Sequence, residues 1–590
     1  MLPSLPQYDP ELDERRARVA ADRALHKLNR AYGGIPFVDS VPVKDQFGAK
    51  YFAAAAVWQA RSYTNLAAAG ADALRVDPAG GLEHVAKDFR TALQTRIQKS
   101  IWGPARDVRV ANWRERTPLS VADYTRMYPT VEPPVSMHYW KHDWFFAWER
   151  LAGTNPILLE LATHIPKNVP FSAADYRAVM QHYGITDSLD TALGELRVFK
   201  VDLAVLEGID AGMSEGWRKW LYPPIALFAL RPDRKGLLPI AIQCTQRPSP
   251  NAPVLMPMDG WAWMMARTVV QSADSNQHGV VEHGTLCHIL MAIVATCMHR
   301  TLASTHPLRV LLSQNLRYTL PLDSLTKELF EPGGRTPTIQ SPSVDATLRL
   351  AKRGLDGFDW TLRSPPHEFS RRQVDSPEVL PEYPYRDDTL SHWQAILRFC
   401  EKYVRLYYAS SRDVVEDAEL QQFIRDLSSK EAGSQKGIGG VGKSPGEIHS
   451  IEALYTFVAQ LIWRATSYHA AINYSVWPSQ GFAPNCPMAI FAPAPTARTG
   501  YQQMDFESML PPRTTAFKQF DDVFVVGHLR IDKMGDYPLE SFSDRRVRPF
   551  LVELKAALEQ AEFEIQQRNK LRPAPYRVLL PSRVPNSIYI

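Results

Sequence analysis

Two histidines five residues apart, His283 and His288, sit in the longest apolar stretch of this chain, EHGTLCHILMAIVATC. A stretch this greasy has to become a buried central helix, and a buried imidazole needs a polar partner from elsewhere in the fold. On a regular α-helix, five residues are roughly 500° of rotation, so the two rings diverge by about 140°. They can face one point only if the helix widens locally, as a π-type turn does.

A second pair, His469 and Asn473 in ATSYHAAINYSVWP, is four residues apart and shares one helix face. The chain ends PNSIYI, on Ile590 with a free carboxylate. Three imidazoles, an amide oxygen and a main-chain carboxylate form a nitrogen and oxygen donor set suited to one iron ion, ferrous or ferric. The same set admits manganese. The carboxylate reaches such a site only if the tail threads inward. On spacing alone, a metal centre and a group of hydrogen-bonded core histidines both stay open. His278 and His299 read as ordinary core histidines. Glu282 beside His283 raises a two-histidine, one-carboxylate site, but adjacent helix residues point to different faces.

The bulk properties remove other classes. With 590 residues, 45% of them hydrophobic, the chain can bury a large core. A net charge of +4 without a long basic run argues against nucleic acid and permits only weak attraction to an anionic membrane surface. Cys244, Cys287, Cys297, Cys400 and Cys486 are scattered and lack a CxxC pair, as in a reduced, cytoplasmic protein. The N-terminal MLPSLPQYDPELDERR has no signal-like apolar core, and no apolar run carries membrane flanks. The expected location is the cytoplasm, with peripheral membrane contact allowed.

The organisation is mainly α. Residues 1–135 read as a helical N-terminal segment packed on or covering the remainder, with DPELDERRARVAADRALHKLNRAYG as a helix ending on glycines, and KYFAAAAVWQARSYTNLAAAG and GGLEHVAKDFRTALQTRIQKS in the same style. A proline-rich break at 129–134 precedes a second region, 136–590, of long helices with a few short strands. LYPPIALFAL and LLPIAIQCT read as a strand pair. The GxGGxGKS run in the 431–447 loop does not match a phosphate loop and reads as a flexible connection.

Several segments, in order, resemble the lipoxygenase family. WKHDWFFAWERLAGTNPILLELATHIP is similar to its Trp–Asp–Phe block, and LYPPIALFAL with LLPIAIQCTQRP to the strands before its catalytic helix. WAWMMARTVVQSADSNQHGVVEHGTLCH resembles the run into its first two metal histidines, followed by the His-Pro segment in HRTLASTHPLRVLLSQNLRYTLPLD. ATSYHAAIN resembles the third histidine block and RNKLRPAPYRVLLPSRVPNSIYI the C-terminal tail. The likeness covers about 140–590. It implies a large helical catalytic domain with long central helices crossing at the metal. It implies non-haem iron held by His283, His288, His469, Asn473 and the Ile590 carboxylate. It also implies a polyunsaturated fatty acid and O2 as substrates, with a lipid hydroperoxide as product. A metal-bound hydroxide takes the hydrogen atom, so no side-chain base is needed. The family's N-terminal β-barrel is not expected.

The chain departs from this pattern at named places. Two glutamines that steady the asparagine ligand in many relatives fall on Gly279 and Val476, so a rewired contact is expected there. Gly284 replaces a bulky residue, leaving space that is either open or filled from elsewhere. The small residue that tends to separate S-type (Ala) from R-type (Gly) oxygenation falls on Thr326, which is neither, so handedness stays open, although threonine is nearer alanine in size. Phe330 and Val526 are expected to wall the substrate pocket. Two further readings keep the fold: a hydroperoxide isomerase, and a non-catalytic lipid-binding relative.

Overall fold

The computed structural model describes residues 2–76, 119–214, 216–330, 334–433, 437–442 and 446–590. Helix dominates, as expected, and the third N-terminal helix, expected at 80–100, lies outside the described residues.

The N-terminal segment differs from its all-helical expectation. Helix α1, Leu12–Leu25, stops well short of the glycines. Strands β1, Leu28–Tyr32, and β2, Ile35–Val38, follow as an antiparallel hairpin. Gly33 and Gly34 both adopt positive φ, the paired left-handed conformation of a tight hairpin turn. All four β2 residues are buried. Helix α2, Ala49–Val76, then lays Trp58 against Phe524 and His528. A bidentate ion pair from buried Arg15 to Glu419 fastens α1 to the rest.

A five-stranded antiparallel sheet runs β3 (Glu160–Leu161), β4 (Val198–Asp202), β7 (Ile225–Leu230), β8 (Leu237–Gln243) and β9 (Val254–Leu255). A short hairpin, β5 (Met213–Ser214) and β6 (Trp217–Arg218), stands apart. The strand pair read from the sequence is β7 and β8, with Leu227 opposite Ala241. Pro239 offers no N–H, and the register shifts where it faces Phe228. Alternate β7 residues feed two cores. Ala226, Phe228 and Leu230 join the main one, and Ile225, Leu227 and Ala229 a smaller one beneath the sheet.

The centre is helix α3, Trp261–Thr301. Among the described residues it is the one helix long and apolar enough to cross a membrane, but its most apolar window is 94% buried in the protein. Around it pack α4 (Thr319–Phe330), α5 (Val344–Asp356) and α7, a continuous helix over residues 451–473. Helix α6 (Pro384–Tyr407) supports α7, and α8 (Arg513–His528) and α9 (Arg548–Asn569) complete the shell. All five cysteines are buried and unpaired.

Candidate metal centre

The widened turn required by the five-residue spacing is present: His278–Ile289 is π-helical. It brings the Nε2 atoms of His283 and His288 to 3.1 Å of each other, with ring centroids 4.7 Å apart. His469 opens the last α-helical turn of α7, directly after a second π turn, Arg464–Tyr468. Ligand-capable nitrogens of the three imidazoles lie within 4.8 Å of one another.

The tail threads inward. Ile588, Tyr589 and Ile590 are buried, and an Ile590 main-chain oxygen lies 3.2 Å from His469 Nε2. Asn586 anchors the approach. Its amide N–H donates to Asp532, its carbonyl accepts from Asn315, and its side chain bridges Gly535 and Asp536. Ser587 donates to the Arg317 carbonyl and Tyr589 to Asp532.

Asn473 donates from Nδ2 to the Val526 carbonyl at 2.9 Å. A carbonyl only accepts, so this contact fixes the amide's orientation and turns Oδ1 inward. That oxygen is buried without a partner, as are His288 Nδ1 and His469 Nδ1. Burial holds all three imidazoles below the ordinary histidine range, His288 at about 3. Neighbouring imidazoles add to the shift in each case. The rings are therefore neutral, which is the form that binds a metal. Neutral nitrogens, an unpartnered amide oxygen and a carboxylate fit one redox-active divalent or trivalent ion.

The other sequence candidates fall around this cluster. His278 stacks on His283 at 5.7 Å and hydrogen-bonds the Ile472 carbonyl through Nε2. His299 Nδ1 accepts from Arg309, so its other nitrogen carries the hydrogen. It is a hydrogen-bonded residue beside His26 and Asp45, and that proton state disfavours a second metal there. Glu282 points away from the histidines, into Arg363, Gln277 and Tyr468. Its oxygens are committed, which excludes it as a metal ligand. Glu282 precedes His283 and Tyr468 precedes His469, so their contact cross-links the two ligand-bearing helices. Arg464 on α7 adds a bond to the Leu286 carbonyl on α3.

The space at Gly284 is filled. A Cβ there would lie 3.2 Å from the Phe330 ring, which packs in turn on Phe37 of β2. Thr326 is buried, and its hydroxyl donates back to the Leu322 carbonyl at 3.0 Å. Val526 meets the site through its carbonyl, and its side chain is half-buried. Val476 packs toward Gly527 on α8. At Gly279 the notch is taken by Gln340, whose amide nitrogen a Cβ would overlap. Neither Gln340 nor the Val526 carbonyl is signalled by a local sequence pattern.

A family model described as Lipoxygenase matches residues 120–570. The chain is 33% identical to a linoleate 9/13-lipoxygenase of Pseudomonas aeruginosa over 79% of this chain and 69% of that protein. A lipoxygenase solved in complex with arachidonate superposes with a TM-score of 0.85 at 23% identity, covering 100% of this chain and 84% of that one. A manganese lipoxygenase superposes with a TM-score of 0.78 at 18% identity, covering both chains fully, 100% and 100%.

Proposed function

The chain belongs to the lipoxygenase family of fatty-acid dioxygenases, and from that membership we propose that it adds O2 to a cis,cis-1,4-pentadiene at a metal held by His283, His288, His469, Asn473 and the Ile590 carboxylate. The family uses non-haem iron or manganese, and iron is the metal proposed here. One observation carries the reading: three neutral imidazoles converge within 4.8 Å, and the chain's last main-chain oxygen lies 3.2 Å from one of them. Bound there, the metal supplies the one-electron oxidation that removes a hydrogen atom from the doubly allylic methylene.

The protein's own contribution is position and exclusion. The tail anchors around Asn586 hold the Ile590 carboxylate in place, and the Val526 carbonyl aims the Asn473 oxygen. His283 keeps partial exposure, so the cluster opens on that side, where Phe330 lies against Gly284. Phe330 walls the pentadiene carbons and limits depth. Thr326, its hydroxyl turned back on its own helix, presents a methyl group of roughly alanine bulk and favours S-type oxygenation.

The test is direct. Full-length protein is assayed for bound iron and manganese, then given linoleate under oxygen while conjugated-diene absorbance is followed. Bound metal with diene formation supports the reading. Metal-free protein, or metal without diene or oxygen uptake, rejects it, and diene loss from added hydroperoxide would instead point to an isomerase.

A further inference from the structure

The wide turn of α3 is supported from outside by a side chain distant in sequence. Gln340 is 3% exposed, and its carboxamide enters the space where a side chain at position 279 would begin. Its backbone is fixed on both sides. The buried Lys219 ammonium donates to the carbonyls of Pro337 and Gln340. Ser341 N–H donates to Asn276 Oδ1 on α3 at 2.9 Å, and the Ser341 carbonyl accepts from Gly212. Gln340 is therefore delivered to Gly279 by a clamped segment, with little freedom to lose. Simple filling of a notch does not explain its chemistry. Gln340 Oε1 is buried without a hydrogen-bond partner, although an aliphatic side chain would fill the same volume at no polar cost.

The place matters because of what neighbours it. Gly279 lies between His278, which bonds the Ile472 carbonyl, and the turn that carries His283, whose ring stacks on that of His469 at 5.6 Å. Both flanks of the notch thus face the segment 469–473. Asn473 Nδ2 uses one hydrogen on the Val526 carbonyl, which leaves one N–H spare on the amide.

We propose that Gln340 is a positioning residue for the metal centre, its carboxamide holding the wide turn at Gly279 so that His283 faces His469 and Asn473. This rests on the metal-site reading above. It also identifies the rewired contact: the carboxamide reaches the turn from residue 340 because residue 279 has no side chain to supply it.

Three full-length variants test it. Q340M keeps the bulk and removes the amide, Q340A removes both, and G279Q/Q340A moves the carboxamide onto α3 itself. Each is stripped of metal and titrated anaerobically with ferrous ion, and the electron paramagnetic resonance spectrum of the oxidised iron form is recorded. Q340M is expected to fold with a near-native Tm, to bind iron about tenfold more weakly and to show an altered spectrum. G279Q/Q340A is expected to recover both affinity and spectrum. Native affinity and spectrum in Q340M, failure of Q340M to fold, or a folded G279Q/Q340A that does not recover would each reduce Gln340 to packing and overturn the proposal. Full iron retention by H469A would instead sink the ligand assignment, a separate failure.

Discussion

The two halves of the metal centre are built on different principles. The half made by His469, Asn473 and the tail uses regular i, i+4 spacing just after a short π turn, with hydrogen-bonded anchors: the Val526 carbonyl for the amide, and the Asp536 carbonyl with the Asp532 and Asn315 side chains for the tail. The half made by His283 and His288 depends on an irregular twelve-residue π stretch, His278–Ile289, propped by side chains from outside, Phe330 at Gly284 and Gln340 at Gly279. Regular geometry holds its ligands by local rules, whereas a widened helix loses the usual ladder and needs external support. Damage should therefore differ in kind. Losses on the first side remove ligands or their charge, and losses on the second misplace ligands that remain.

Four predictions probe that contrast, from the largest effect to the smallest. His469→Ala, or deletion of Ile590, is expected to abolish both metal retention and turnover, a fall of at least about a hundredfold, since each removes a donor outright. Metal analysis beside the diene assay checks it, and residual full activity in either variant would break the proposed ligand set. Phe330→Ala on the propped side is expected to keep most of the metal but deepen the pocket. The ratio of positional hydroperoxides from arachidonate should move several-fold, and an unchanged ratio would remove Phe330 from the pocket wall. Thr326→Gly should raise the share of R-configured product, read by chiral chromatography; a shift toward S would reverse the role given to this residue.

The smallest effect concerns stability. Asp323 on α4 is fully buried and accepts from the Val38 N–H at 2.6 Å, tying β2 to the helix that carries Phe330. Burial, opposed by that bond, lifts its carboxyl from 3.8 to about 8. Between those values the unfolded chain releases a proton that the folded chain keeps, so this group's contribution falls as pH rises. Asp323→Asn should flatten the decline in Tm from pH 5 to pH 8. An unaltered slope would show that the carboxyl ionises normally.

The contrast also explains what was legible in the sequence. His469 and Asn473 declare themselves by spacing. His283 and His288 do so only because their spacing fails on an ordinary helix and demands the wide turn that is found. The strand pair β7 and β8 showed as two apolar runs because both of its faces are buried. The N-terminal hairpin is hidden because LNRAY continues the helical pattern of α1, while its turn signal, Gly33 and Gly34, equally marks a helix end. The lost glutamines at Gly279 and Val476 marked a place of change. What replaced them, a carboxamide sixty-one residues downstream and a main-chain carbonyl on another helix, is set by tertiary approach alone.

Helix α3 leaves the ribosome long before α7, its main polar partner. The gap from Thr301 to Asn473 is 172 residues, which takes roughly 10 to 30 s to synthesise at ordinary elongation rates. Throughout that interval a segment as greasy as a bilayer-spanning helix lacks α7, and its earlier-made partners α1 and β2 cover only part of it. The nascent polypeptide is thus a natural client for holdase chaperones, and recombinant yield should improve more from slowed translation or chaperone co-expression than from added metal.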